Sequence, residues 1–150
     1  MSVITNIESW GNSHRPGWLD IVRILLGAFI TFKGIEFMAN MDWLTKVVGD
    51  STQVFAGASV AHYVVFAHLL GGPLIVVGSF TRAMCAIQLP ILLGAIILVN
   101  APKGFLSVGN HMELEVSIVV LLGIVALMIF GAGKFSIDEK RRHDKIIAQR

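Results

Sequence analysis

Apolar residues in this chain do not alternate with polar ones; they run in long blocks. The first block, Leu19–Ala39, reads LDIVRILLGAFITFKGIEFMA and carries Arg23, Lys33 and Glu36. A charge at mid-membrane costs about 2.5–3.5 kcal/mol on insertion scales, so such groups are expected to face other helices, water or each other. This block therefore reads as one wall of a helix bundle with a polar interior. It spans about residues 19–40. Further blocks predict helices over 54–80, 82–100 and 112–130. The second holds His62, Tyr63, His68 and Gly71-Gly72-Pro73, and Pro73 predicts a kink. The third holds Gln88 and Pro90.

The joints between the blocks are polar or broken by Gly and Pro. Residues 1–17 read as a polar arm, ending at Pro16-Gly17 between the interface-seeking Trp10 and Trp18. Residues 41–53 read as a connector along the membrane surface, with Trp43 and Leu44 dipping inward. Ser79-Phe80-Thr81-Arg82 is so short that the blocks on either side must run antiparallel. In the tail, 131–150, Ser136 and Glu139 have the spacing of a capping box, which predicts a short surface helix.

Composition sharpens this pattern. Of 150 residues, 55% are hydrophobic and 15% charged, with a mean hydropathy of +0.74. A soluble domain of that size has too little interior to hide so much apolar surface. The expected class is all-α: a polytopic four-transmembrane-helix bundle, one domain over residues 1–150, with a short cytoplasmic C-terminal helix. A net charge of +2 is too small for a nucleic-acid binder. Cys85 is the only cysteine, which removes an intrachain disulfide and a CxxC relay. The first residues lack the basic start and apolar run of a signal peptide. Lys134, Lys140, Arg141, Arg142, Lys145 and Arg150 crowd the tail and Arg82 the short turn, against Lys46 and Lys103 in the other loops. The positive-inside rule then places both termini in the cytoplasm.

With that orientation, Lys33, Glu36, His62, His111 and Glu115 share the outer half of the bundle, while Arg23 and Gln88 share the inner half. His68 falls near mid-membrane. Glu36, His62, His68 and Glu115 are the candidate proton relay. Arg23, Lys33, His62, His68 and His111 are the candidate binding groups of a polar pocket. Histidine and carboxylate exchange protons near neutral pH, as quinone chemistry requires. Quinones also partition into membranes. Haem is disfavoured: no CxxCH is present, and His62 and His68 lie about 120° apart around one helix. No metal-ligating pattern stands out. The plainer expectation is that these groups neutralise one another and cap helix ends. Gly27 and Gly34 lie close to the azimuth of Arg23 and suit close helix packing.

Four stretches of the chain resemble the DoxX family of small four-helix bacterial membrane proteins. They are Arg23-Ile24-Leu25-Leu26-Gly27 with Lys33-Gly34; Gly71-Gly72 followed by Gly78 and Thr81-Arg82; Glu113 and Glu115; and Gly131-Ala132-Gly133-Lys134-Phe135-Ser136-Ile137-Asp138. The last is similar to a Gly-x-Gly-(Arg/Lys)-x-Ser-(Leu/Ile)-Asp ending. One departure is His68, where family members often carry an acidic residue. The resemblance implies a multi-pass protein of the bacterial cytoplasmic (inner) membrane, associated with redox systems that are in part quinone-linked. The expected role is a membrane subunit or accessory protein with a partner redox protein or a second copy of itself. Two alternatives stand beside it: a cofactor-free scaffold that recruits partners through its glycine faces and basic tail, and a small oligomeric transporter.

Overall fold

A computed structural model of the chain describes residues 10–11, 16–52, 57–103 and 113–148. Six α-helices are present among them: α1 (Leu19–Ala39), α2 (Met41–Thr52), α3 (Gly57–Val77), α4 (Thr81–Gly94), α5 (Glu113–Phe130) and α6 (Ile137–Ala148). Past Gly94, α4 continues as a π-helical segment, Ala95–Asn100, and a 3-10 turn, Ala101–Lys103. The four long helices close a ring in which α1 packs on α3, α3 on α4, α4 on α5 and α5 back on α1. The surface connector expected at 41–53 is the helix α2, which leans chiefly on α3.

The core lies along the bundle axis. Leu19, Leu26 and Ile30 of α1 meet Ile75, Cys85, Val120, Ile124 and Leu127. A smaller cluster, Leu44 with Ala61 and Val64, fixes α2. Outside this core the bundle is apolar too: Leu25, Phe32, Phe66, Leu70, Val119 and Leu122 are exposed. A bundle greasy on its outer face is matched to lipid as solvent. The helices Gly57–Val77, Thr81–Asn100 and Glu113–Phe130 are long and apolar enough to cross a membrane. α1 has the length, 21 residues, but carries more charge.

The tightest packing is between α1 and α3. A methyl group on Gly27 would lie 2.8 Å from the Gly72 carbonyl oxygen, and one on Gly34 would lie 2.8 Å from His68 Cβ. One on Gly72 would lie 2.7 Å from the Thr31 backbone nitrogen. The small-residue face is thus used inside the chain, where it lets two backbones touch. α3 runs on through Pro73 as one helix.

The chain reversal after α3 is made by Gly78 at φ 71° and Phe80 at φ 52°. After α5 it is made by Gly131 at φ 80° and Gly133 at φ 84°. Left-handed backbone of this kind favours glycine. At Gly133 a side chain would also strike the Asp20 carboxylate. Ser136 Oγ accepts the Glu139 amide at 3.2 Å, so the expected cap at the start of α6 forms.

Candidate functional site

The polar residues gather in two places at opposite ends of the bundle. At the end where α1 finishes and α3 begins, Lys33 Nζ donates to Glu36 Oε2 at 2.8 Å, one helical turn along α1. His62 Nδ1 lies 2.7 Å from the Ala58 carbonyl oxygen, and His68 Nδ1 lies 2.8 Å from that of Val64. A carbonyl only accepts, so in both rings Nδ1 carries the hydrogen and Nε2 faces away from the helix backbone. His68 is half-buried against α1, edge-on to Phe37 with ring centroids 5.3 Å apart. His62 is exposed.

His62 opens onto a cleft of about 620 Å³. Its walls are Met38 of α1, Met41 of α2, and Val65, Phe66, Leu69 and Leu70 of α3. One imidazole thus stands in an otherwise apolar lining. The volume falls in the range of small-molecule sites, roughly 300–1,000 Å³. The two histidines do not share this cleft, in keeping with their separation around α3.

The remaining candidates are placed elsewhere. Glu115 lies in the first turn of α5 and is not a wall of the cleft. His111 lies outside the described residues. Gln88 is buried and donates to the Ala67 carbonyl oxygen at 3.0 Å; Gly71 leaves the room for its amide. Arg23 is at the opposite end from His62. Among the described residues, no three His, Cys, Asp or Glu side chains gather as a metal-binding group.

At that opposite end the polar groups form a clasp. Arg23, 2% exposed, donates through Nη1 to the Ala132 carbonyl oxygen and through Nη2 to that of Phe135 at 2.8 Å. It also pairs with Asp20 at 3.1 Å. Asp20 in turn accepts the amides of Lys134 at 3.0 Å and Phe135 at 3.1 Å. Asp138 accepts the amides of Phe80 at 2.8 Å and Thr81 at 2.9 Å, supplying the open N-terminus of α4 with a cap from a distant residue. Arg82 donates to the Met128 and Ile129 carbonyl oxygens, closing the end of α5. The backbone of residues 132–138 is thus pinned to the starts of α1 and α4.

Against known families, residues 18–101 match DoxX. That is more than half of the chain. The chain belongs to the DoxX family. No curated protein and no solved structure is significantly similar to it. The matched span of the DoxX domain holds α1 to the π-helical segment and includes Arg23, Lys33, His62, His68 and the glycine faces. The Gly131–Asp138 ending lies beyond it. Asp20 and Asp138 are the residues whose roles the sequence pattern leaves dark. Their partners are backbone amides far along the chain; the available signals are the acidic side chain at the edge of an apolar block for Asp20 and the Gly131–Asp138 stretch for Asp138.

Proposed function

We propose that this DoxX protein is a four-span protein of the bacterial cytoplasmic membrane, and that its His62 cleft holds the headgroup of a membrane quinone for a partner redox protein. As the fourth span, α1 is supported by its length of 21 residues, about 30 Å, and by the position of its charges. Asp20 and Arg23 are committed to the clasp at one end, Lys33 and Glu36 pair towards the other, and residues 24–32 between them carry no charge. The basic tail and Arg82 support the clasp end as the cytoplasmic one.

The observation that carries the quinone reading is the single imidazole in an otherwise apolar cleft between α1, α2 and α3. A bound quinone supplies two-electron, two-proton redox chemistry. Met38, Met41, Val65, Phe66, Leu69 and Leu70 would hold its apolar part and keep water from it. His62, its Nδ1 fixed by Ala58, presents Nε2 for a hydrogen bond or a proton. Glu36 lies on the same stretch of α1 as Met38 and is the group proposed to pass protons onward, with Lys33 paired to it. His68 and Glu115 remain as the other proposed members of that relay. Electrons come from the partner.

The test is organic extraction of the protein purified from native membranes in mild detergent. The expected extract contains quinone in near-stoichiometric amount from the wild type and at least fivefold less from His62→Ala and from the cleft-filling variant Leu70→Trp. Wild-type protein that yields no quinone, even when reconstituted with added quinone, would remove this reading.

A further inference from the structure

Phe135 is 86% exposed, the most exposed of the large apolar side chains among the described residues. It does not sit on a loose loop. Its own amide and that of Lys134 are bonded to Asp20, and its carbonyl oxygen accepts from Arg23. With the backbone held from both sides, the residue is fixed at the surface and its ring stands exposed. Exposed aromatic rings stand around it at the same end: Trp18 before α1 and Phe80 between α3 and α4. Cations stand among them. Lys134 and Lys140 are exposed, and the Arg141 guanidinium lies 4.9 Å above the centre of the Phe80 ring. The Asp138 amide bonded to the Gly78 carbonyl oxygen, 2.9 Å, fixes the first turn of α6 over the α3–α4 turn.

The acidic groups of this region are turned to other tasks. Asp20 and Asp138 are spent inside the clasp, Glu139 is hydrogen-bonded by Arg142 at 3.0 Å, and the exposed Asp144 of α6 is outnumbered by the exposed Lys134, Lys140, Arg141 and Lys145. The outward charge is therefore positive. Rigid aromatic rings interleaved with cations, set at the ends of membrane-length helices, match the headgroup layer of a bilayer.

We infer that the clasp end is an anionic-phospholipid site: Phe135 is a fixed wedge at the headgroup–acyl boundary, and Lys134, Lys140 and Arg141 take the phosphate groups around it. The inference rests on the membrane-spanning reading but is independent of the quinone. It gives the clasp a second consequence besides stability, since the same hydrogen bonds that tie residues 132–138 to α1 present the wedge to lipid. The occupant follows from charge and from place: the leaflet that surrounds the spans is already there, and its anionic lipids are the complementary charge.

The full chain in nanodiscs of equimolar phosphatidylglycerol and phosphatidylcholine provides the test, with retained lipids counted by native mass spectrometry on release into detergent. The wild type is expected to retain phosphatidylglycerol at least fivefold over phosphatidylcholine. Lys134→Gln/Lys140→Gln/Arg141→Gln should lose the preference to below twofold with an unchanged melting temperature, while Lys46→Gln on α2 should keep it. A wild type without preference, or a triple variant that retains it, overturns the site. That second outcome would leave the basic face for an acidic protein partner. As a check that does not need the triple variant, Phe135→Cys in a Cys85→Ala background is labelled with an environment-sensitive dye. Blue-shifted emission quenched by spin-labelled lipid is expected, and water-like emission overturns the wedge. Protein extracted from membranes by carbonate would instead sink the spanning reading itself.

Discussion

The carboxylate of Asp20, in the first turn of α1, accepts the backbone amide of Lys134, 114 residues further on, at 3.0 Å. The same carboxylate lies 3.1 Å from the Arg23 guanidinium, and both side chains are shielded from solvent. Removing one member of a buried pair leaves the other charged and unmatched. Asp20→Ala is therefore expected to lower stability by about 3–5 kcal/mol. Arg23→Ala should cost a similar amount. The double variant should fall well short of the sum, because the stranded charge is gone. Thermal or denaturant unfolding in detergent measures this; additive losses would mean that the two residues act separately.

Asp138 caps α4 from outside its own sequence, with both oxygens in use. Asp138→Ala is expected to cost about 1–2 kcal/mol, the usual range for loss of an N-terminal cap. Asp138→Asn should cost less, since its one amide oxygen still accepts from Phe80 or Thr81. Melting temperatures of the three proteins side by side decide it. Equal stability of the wild type and Asp138→Ala would show that water satisfies those amides as well.

Two glycines in neighbouring helices should respond in opposite ways to alanine. At Gly72 a methyl group meets the Thr31 backbone, 2.7 Å from its nitrogen and 2.9 Å from its Cα, so no rotamer change relieves the clash. At Gly94 it meets nothing within 4 Å. Gly72→Ala is expected to destabilise by about 1–3 kcal/mol as α1 and α3 are forced apart. Gly94→Ala should be neutral or stabilise by up to about 1 kcal/mol through helix propensity. A benign Gly72→Ala would mean that the α1–α3 contact is looser than the structure has it.

The proposed orientation is open to direct labelling. In a Cys85→Ala background, Lys46→Cys on α2 should react with a membrane-impermeant maleimide on intact cells. Lys145→Cys on α6 should react only after the membrane is permeabilised. The reverse pattern would invert the topology, and labelling of both on intact cells would break the four-span reading.

The helices were legible in the sequence because a membrane-length apolar block has few ways to satisfy its backbone except as a helix. Some bounds moved by a few residues: the helix expected to reach 80 ends at Val77, and that at 82–100 begins at Thr81 and becomes π-helical after Gly94. Residues 41–53 were legible as a connector but not as the helix α2, since their mixed polarity is marginal for a short helix until Leu44 packs on Ala61 and Val64. Lys33, Glu36 and His62 were legible as groups of one end of the bundle. That the cleft is built on His62, with His68 turned to Phe37, was not, because sequence gives the angle between two side chains on a helix but not how the helix is rotated against its neighbours.

Block length, charge position and the Ser136 cap were properties of local sequence, and with the family stretches they determined the helices, the antiparallel return at the α3–α4 turn and membership in DoxX. Tertiary structure alone decided that Arg23 serves the clasp rather than a pocket. It also decided that Asp20 and Asp138 hold amides more than fifty residues away, and that Phe135 is held outward. A carboxylate carries no mark of which distant amide it will meet. Those partners exist only once the reversals at Gly78 and Gly133 bring the ends of α1, α3, α4 and α5 together, where unpaired helix-terminal groups out of reach of water must each find a hydrogen bond.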